Sequence, residues 1–202
     1  MMKYDFYIAA LGASAGGLKA LHDFFSRVSD SQGIAYVVAL HSLRDAKSHL
    51  KEILSRITRT EVTEITQRMK VLPNKIYVHP PGMKVSIKEG IFILTERDPE
   101  EKINKTIDHL FVSIAEDAGE KAIGIIMSGT GSDGTEGFKA IEGKNGTTIV
   151  QNPDTAEFDG MPLHSIRYDH PDHILNPLEM PSFIGQLLQR RAKGSQDENT
   201  SA

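Results

Sequence analysis

The chain has 202 residues, 39% hydrophobic and 25% charged, with a formal net charge of −4 and no cysteine, which is enough sequence for one well-buried domain. The missing cysteines exclude a disulfide framework, a cysteine zinc site and a cysteine nucleophile together, and the acidic balance argues against a dedicated nucleic-acid binder. No apolar run approaches the ~20 residues that span a bilayer, and Met1-Met2-Lys3-Tyr4-Asp5 lacks a signal-peptide core, so the expectation is a soluble, cytoplasmic protein without membrane insertion.

Tyr7 to Leu11 reads as a first buried strand, followed at once by Gly12-Ala13-Ser14-Ala15-Gly16-Gly17. Leu18, Leu21, Phe25 and Val28 then recur at helical spacing. Ala35 to Ala39 is a second strand, Ser48 to Ile57 a second helix, and Val62 to Ile65 and Lys75 to Val78 further short strands. Lys84 to Lys88 alternates in polarity, turns at Glu89-Gly90 and returns as Ile91 to Leu94, which predicts a hairpin. Ile107, Leu110, Phe111, Ile114 and Ala115 form a strong helical stripe, with Gly119 where a C-cap belongs.

Ala122 to Met127 is a very apolar strand that ends in a second glycine loop, Ser128-Gly129-Thr130-Gly131-Ser132-Asp133-Gly134. A helix over Thr135 to Glu142 and a strand over Thr147 to Val150 follow, and Phe183, Leu187 and Leu188 predict a closing helix. His170 and His173 lie in a Pro/Asp-rich stretch read as surface loop, and the residues from Lys193 onward as a disordered tail. The alternation predicts an α/β fold: a doubly wound, mostly parallel sheet flanked by helices, with an antiparallel β-hairpin attached. In such folds ligands bind outside the carboxyl ends of the strands, and both glycine loops fall on that edge.

Three side chains on that edge can do chemistry. Ser14 is the centre of Gly12-x-Ser14-x-Gly16 at a strand-to-helix turn, the pattern of a nucleophile elbow, although a serine there can also simply cap the helix. His41 follows the second strand; a histidine side chain takes up a hydroxyl proton near neutral pH, and beside Ser14 it is a candidate general base. Asp133, in the second glycine loop, is a candidate third member that orients the imidazole, or a turn aspartate before the following helix. A dinucleotide fingerprint fails at its centre, where Ser14 replaces the glycine that lets the backbone approach a pyrophosphate. No Gly-Lys-Ser/Thr follows the second loop and no His-Glu-x-x-His occurs, so neither cofactor nor metal is expected.

Serine, histidine and aspartate in that order, with Gly-Ala-Ser-Ala-Gly-Gly, Leu-His and Gly-Thr-Gly-Ser-Asp-Gly, resemble the catalytic domain of CheB, the chemotaxis protein-glutamate methylesterase. Ile76-Tyr77-Val78-His79-Pro80-Pro81-Gly82, Ile107-Asp108-His109-Leu110-Phe111 and Ala156-Glu157-Phe158-Asp159-Gly160-Met161-Pro162 extend the resemblance from about Phe6 to Leu188. It implies hydrolysis of γ-glutamyl methyl esters on the cytoplasmic helices of methyl-accepting chemoreceptors, together with deamidation of receptor glutamines. Carried over by motif, Ser14 is the nucleophile, His41 the general base and acid, and Asp133 the orienting carboxylate. The backbone N–H groups near Ala15 and Thr130 are the expected oxyanion donors.

Five residues depart from the family's common wording. Ala15 stands where many members have threonine, Leu40 where they have glutamine, Thr130 where they have methionine, and Leu163-His164 where arginine often occurs. None removes a member of the triad, so the departures bear on substrate preference and rate. Members commonly begin with a phosphorylatable receiver domain. With its first strand at Tyr7, this chain is expected to hold a catalytic domain over 1–190 and a polar tail or linker stub over 191–202, with no receiver domain. The loops are most similar to esterase domains fused to a CheR-type methyltransferase, an expected partner in the same or another chain. A second reading keeps the fold as an interaction module of a signalling protein with little activity.

Overall fold

A strand buried on both faces needs apolar side chains on both faces, and this chain supplies several such runs in a row. In the computed structural model, which describes residues 4–30, 32–41, 48–98, 100–101 and 103–200, the first half comprises β1 (Tyr7–Ala13), α1 (Gly17–Phe25), β2 (Ile34–Leu40), α2 (Leu50–Ile57), β3 (Glu61–Glu64), β4 (Lys75–Val78), β5 (Met83–Lys88) and β6 (Ile91–Glu96). The second half comprises α3 (Thr106–Ala118), β7 (Ala122–Ile126), α4 (Thr135–Glu142), β8 (Thr147–Gln151), α5 (Gly160–Asp169), β9 (His173–Leu175) and α6 (Met180–Thr200). Met1 to Lys3 and Ser201-Ala202, the extremes of the expected start and tail, lie outside the described residues.

Among the described residues one sheet has the order β3-β4-β2-β1-β7-β8-β9, and every neighbouring pair in it is parallel. Strands β5 and β6 form a separate antiparallel hairpin. Alternate residues of the central strands serve two cores. Ile8, Ala10, Val37 and Ile126 meet Ile107, Leu110, Phe111 and Ile114 of α3 and the inner face of the hairpin. Ala9, Leu11, Val38 and Ile125 meet Leu21, Phe24 and Phe25 of α1 and Met180 and Ile184 of α6. Each large side chain so buried contributes roughly 1.5–3 kcal/mol relative to exposure. The hairpin is tied to α3 by Asp117, whose carboxylate accepts the backbone N–H groups of Glu89 (2.7 Å) and Gly90 (3.0 Å) and the Tyr4 hydroxyl.

From β1 the chain passes to β2, goes on to the edge strand β3 and turns back into β4 between them; it later returns beside β1 as β7 and winds the other way through β8 and β9. The order therefore reverses between β1 and β7, and the crevice at a doubly wound sheet's ligand edge opens at that point. Ser14 follows β1 and the second glycine loop follows β7.

The predicted architecture holds, with local corrections. β1 runs on through Gly12 and Ala13, because a residue without a side chain at 12 lets Ile107 of α3 lie directly on the strand. α1 ends at Phe25, so Val28 packs on the core from outside the helix. α2 begins at Leu50, whose N–H is taken by the Ser48 hydroxyl at 3.3 Å. α5 and β9 have no counterpart among the predicted elements. His173 belongs to an edge strand and not to a loop, packed on Phe183. The helix α6 continues to Thr200, so the segment from Lys193 prolongs it instead of leaving as a disordered tail. Gln, Arg, Ala and Lys, all good helix formers, carry it past the apolar stretch.

The last residue of α5 is Asp169, 6% exposed, and among the described residues neither of its carboxylate oxygens has a hydrogen-bond partner. The nearby Thr135 hydroxyl donates instead to Ser132 O at 2.9 Å. Burial pushes the Asp169 carboxyl up to about 6, with the charge of Lys139 opposing. A carboxyl whose folded value lies above its unfolded value of roughly 4 stabilises the fold fully below pH ~4 and loses that contribution as pH rises through about 6. Asp169→Asn should therefore raise thermal stability at pH 8 by about 1 kcal/mol after allowance for solvent screening, or roughly 2–4 °C, with little gain at pH 4.5. Melting curves at the two pH values check this, and an equal gain at both would contradict the burial account.

Candidate active site

The turn after β1 is built by backbone bonds to its neighbours. Ser14 N–H donates to Ser128 O and Gly17 N–H to Ser14 O, both at 2.9 Å, so the chain folds over directly into α1. Gly16 has φ +68°, and a Cβ there would lie 2.6 Å from Ser128 Oγ and 2.7 Å from Glu157 Cβ, so both conformation and space require glycine. Ser128 is fully buried, and its hydroxyl joins three segments: it donates to Ala15 O at 2.8 Å and accepts Phe158 N–H at 3.0 Å. Gly129 bonds the same segment twice, through its N–H to Phe158 O (2.9 Å) and its carbonyl from Met161 N–H (2.8 Å). A Cβ at Gly129 would overlap Met161 Sδ and sit 2.8 Å from Ser14 Cβ. The second glycine loop thus lies against the serine.

His41 continues the pairing of the next strand. Its N–H donates to Ala13 O at 2.9 Å, one step beyond the Ala13–Leu40 register pair. Its imidazole Nε2 lies 2.7 Å from Asp133 Oδ2. The Asp133 side chain is only 4% exposed, and the start of α3 satisfies it further: Ile107 N–H donates to Oδ2 and Asp108 N–H to Oδ1, each at 2.9 Å. A carboxylate that accepts from three sides leaves the proton on Nε2 of the imidazole. Nδ1 is then the nitrogen with a free lone pair. Among the described residues no hydrogen bond joins Ser14 Oγ to His41; catalytic contacts of this kind commonly tighten only around substrate.

The structure therefore brings together the three residues singled out from sequence. Asp133 does serve as a helix cap, but for α3 and not for the α4 that follows it. Ala15 and Thr130 flank the serine turn and the second loop, and among the described residues their backbone N–H groups make no hydrogen bond. His79, just after β4, has a buried Nε2 without a partner among the described residues. Burial first, then the neighbouring His41 and Arg97, push it down to about 4, so it adds no charge beside His41 at neutral pH. His109 also faces His79 closely enough to oppose its charge, whereas His22 is exposed on α1, His49 stands at the N-cap position of α2 without a side-chain cap bond, and His164 bonds the Thr135 hydroxyl at 3.1 Å. Among the described residues no three metal-ligating side chains form a group. The half-exposed Phe158 lies beside Gly16 at the serine turn; Leu18 in the first turn of α1 and Leu163 on α5 are also exposed apolar side chains. Sequence reasoning missed Ser128 and Asp108, whose partners are backbone groups distant in the chain.

A half-buried serine at the carboxyl edge of the sheet, an imidazole with one nitrogen free and a buried carboxylate on the other can support nucleophilic attack with proton relay, as in a serine hydrolase. Comparisons with known proteins point to one family. The CheB methylesterase family model matches residues 9–184. The chain is 32% identical over 165 residues to protein-glutamate methylesterase/protein-glutamine glutaminase 1 of Carboxydothermus hydrogenoformans, covering 79% of this chain and 48% of that protein. It is 29% identical over 183 residues to the protein of the same name from Syntrophus aciditrophicus, covering 90% of this chain and 52% of that protein. The chain thus spans about half the length of these curated relatives. The crystal structure of the Thermotoga maritima CheB methylesterase catalytic domain has the same fold, with a TM-score of 0.83 and 24% identity over 91% of this chain and all of that one.

If the second loop sets the serine, a side chain at Gly129 must displace it. Gly129→Ala should slow labelling of Ser14 by a fluorophosphonate by about tenfold or more, the scale of a misplaced reacting group. Mass spectrometry of the labelled peptide measures the rate, and an unchanged rate would show that the serine does not depend on that contact.

Proposed function

This chain belongs to the CheB methylesterase family, and from that premise we propose that it is a protein-glutamate methylesterase. It removes methyl groups from γ-glutamyl methyl esters on chemoreceptor cytoplasmic helices, and by the same route deamidates receptor glutamines. The observation that carries the reading is the His41–Asp133 bond, 2.7 Å long and buried, set beside Ser14 at the point where the strand order reverses.

In this mechanism Ser14 Oγ attacks the ester carbonyl and its proton passes to His41 Nδ1. Asp133 stabilises the imidazolium through Nε2–H without taking the proton itself. Backbone N–H groups of Ala15 and Thr130 receive the oxyanion, aided by the positive end of α1. The tetrahedral species collapses as His41 returns the proton to the departing methoxide, which leaves as methanol. Water then attacks the acyl-enzyme, giving its proton to Nδ1, and the glutamate carboxylate is released as Ser14 regains its hydrogen. With a glutamine substrate, ammonia leaves in place of methanol. The exposed Phe158 beside the serine turn suits a protein segment better than a small polar ester.

Among the described residues no helix is long and apolar enough to cross a membrane. The proposed setting is the cytoplasm, with the receptor's helices as substrate and a CheR-type methyltransferase, in the same or another chain, as the source of the ester. Ala15 leaves the serine turn without the hydroxyl that a threonine would add, so oxyanion binding there rests on the backbone alone.

Methanol release from a methylated receptor fragment tests the proposal. Wild type should turn over and Ser14→Ala should lose activity by a factor of about 10³ or more. Methanol release that survives Ser14→Ala would refute the nucleophile. Activity should also withstand EDTA, and a loss restored by zinc would refute the metal-free mechanism.

A further inference from the structure

Behind the His41–Asp133 pair lies a second buried carboxylate. Asp108, in the first turn of α3, is 8% exposed. Its Oδ1 does not cap its own helix; it accepts the backbone N–H groups of Gly134 at 2.9 Å and Gly137 at 3.0 Å, at the start of α4. Asp133, just before Gly134, reaches the opposite way and takes the N–H groups of Ile107 and Asp108 at 2.9 Å. Each helix is thus capped by the aspartate that belongs to the other. Four N–H groups without intrahelical partners are satisfied by two crossed carboxylates.

The consequence for Asp133 is a fixed position at both ends. Its carboxylate is held by α3, and the peptide that follows it is held by Asp108. Neither α3 nor α4 can shift along its axis without drawing Asp133 Oδ2 away from His41 Nε2. Resting on the serine-hydrolase reading, we propose that Asp108 is a positioning residue, setting the Asp133 carboxylate, and through it the His41 ring, by its grip on the Gly134 and Gly137 amides. The site is costly to maintain. Burial raises the Asp108 carboxyl above the ordinary carboxylate range and the nearby Asp133 charge adds to this, while the two amides and Lys105 oppose it. Asp169 adds a further carboxylate on the same side. Two carboxylates so close in a buried place are retained here with a bonding pattern that only their geometry explains.

The role is geometric, so the acceptor atom should matter more than the charge. Asp108→Asn keeps an oxygen where Oδ1 stands, whereas Asp108→Glu keeps the charge but moves the oxygen by one methylene. In the full chain, with rates expressed per fluorophosphonate-titratable serine, Asp108→Asn should retain kcat within about threefold. Asp108→Glu and Asp108→Ala should each lose about tenfold or more in kcat, with KM little changed. Because rates are counted per competent serine, a variant that is merely less folded loses titratable sites and not rate. The proposal is overturned if Asp108→Glu matches wild type while Asp108→Asn is impaired, which would assign a charge role, or if all variants match wild type. Should Asp108→Ala fail to fold, the order of Asn and Glu alone decides. The rate of Ser14 labelling should follow the same order. If wild type labels but releases no methanol from any receptor fragment, the esterase reading fails while the labelling order still tests Asp108.

Discussion

The arrangement turns on one carboxylate. Asp133 accepts hydrogen bonds from two backbone amides at the start of α3 and from the His41 imidazole, and almost none of it is exposed to water. A buried carboxylate is expensive unless it is fully bonded. Here the bonds that satisfy it also select which imidazole nitrogen carries the proton. That choice leaves Nδ1 without the proton. In the proposed mechanism, fold stability and the proton path thus rest on the same three donors.

The sheet supplies the remaining alignment. Parallel pairing of β1 with β2 and with β7 brings Ser14, His41 and the second glycine loop to one edge in consecutive register, through Ser14 N–H to Ser128 O and His41 N–H to Ala13 O. None of these contacts depends on a long side chain, so the positions tolerate little rotameric error. Ser128 then fastens the 156–161 segment over the turn with its buried hydroxyl. The same segment leads into α5, on which Leu163 is exposed.

Much of this was readable in the amino-acid order because the site residues follow apolar runs. A serine between glycines after Tyr7–Leu11, a histidine ending Ala-Tyr-Val-Val-Ala-Leu-His, and an aspartate in the loop after Ile123–Met127 are each placed by the strand that precedes them. α5 was not readable, since Met161-Pro162-Leu163-His164 leaves Leu163 exposed and carries no continuous apolar stripe. β9 is three residues long between prolines, with Ile174 turned outward. Asp108 looked like an ordinary polar residue in an amphipathic helix, and Ser128 like loop. Their roles arise from backbone amides and carbonyls 26 to 113 residues away, which no local pattern encodes.

The tautomer of His41 is the most direct test of this account. Nitrogen-15 NMR of the imidazole in the neutral enzyme should show a protonated Nε2 bonded to a carboxylate and an unprotonated Nδ1, with that pattern lost in Asp133→Ala. A proton on Nδ1 in wild type would contradict it, because no lone pair would then face the serine.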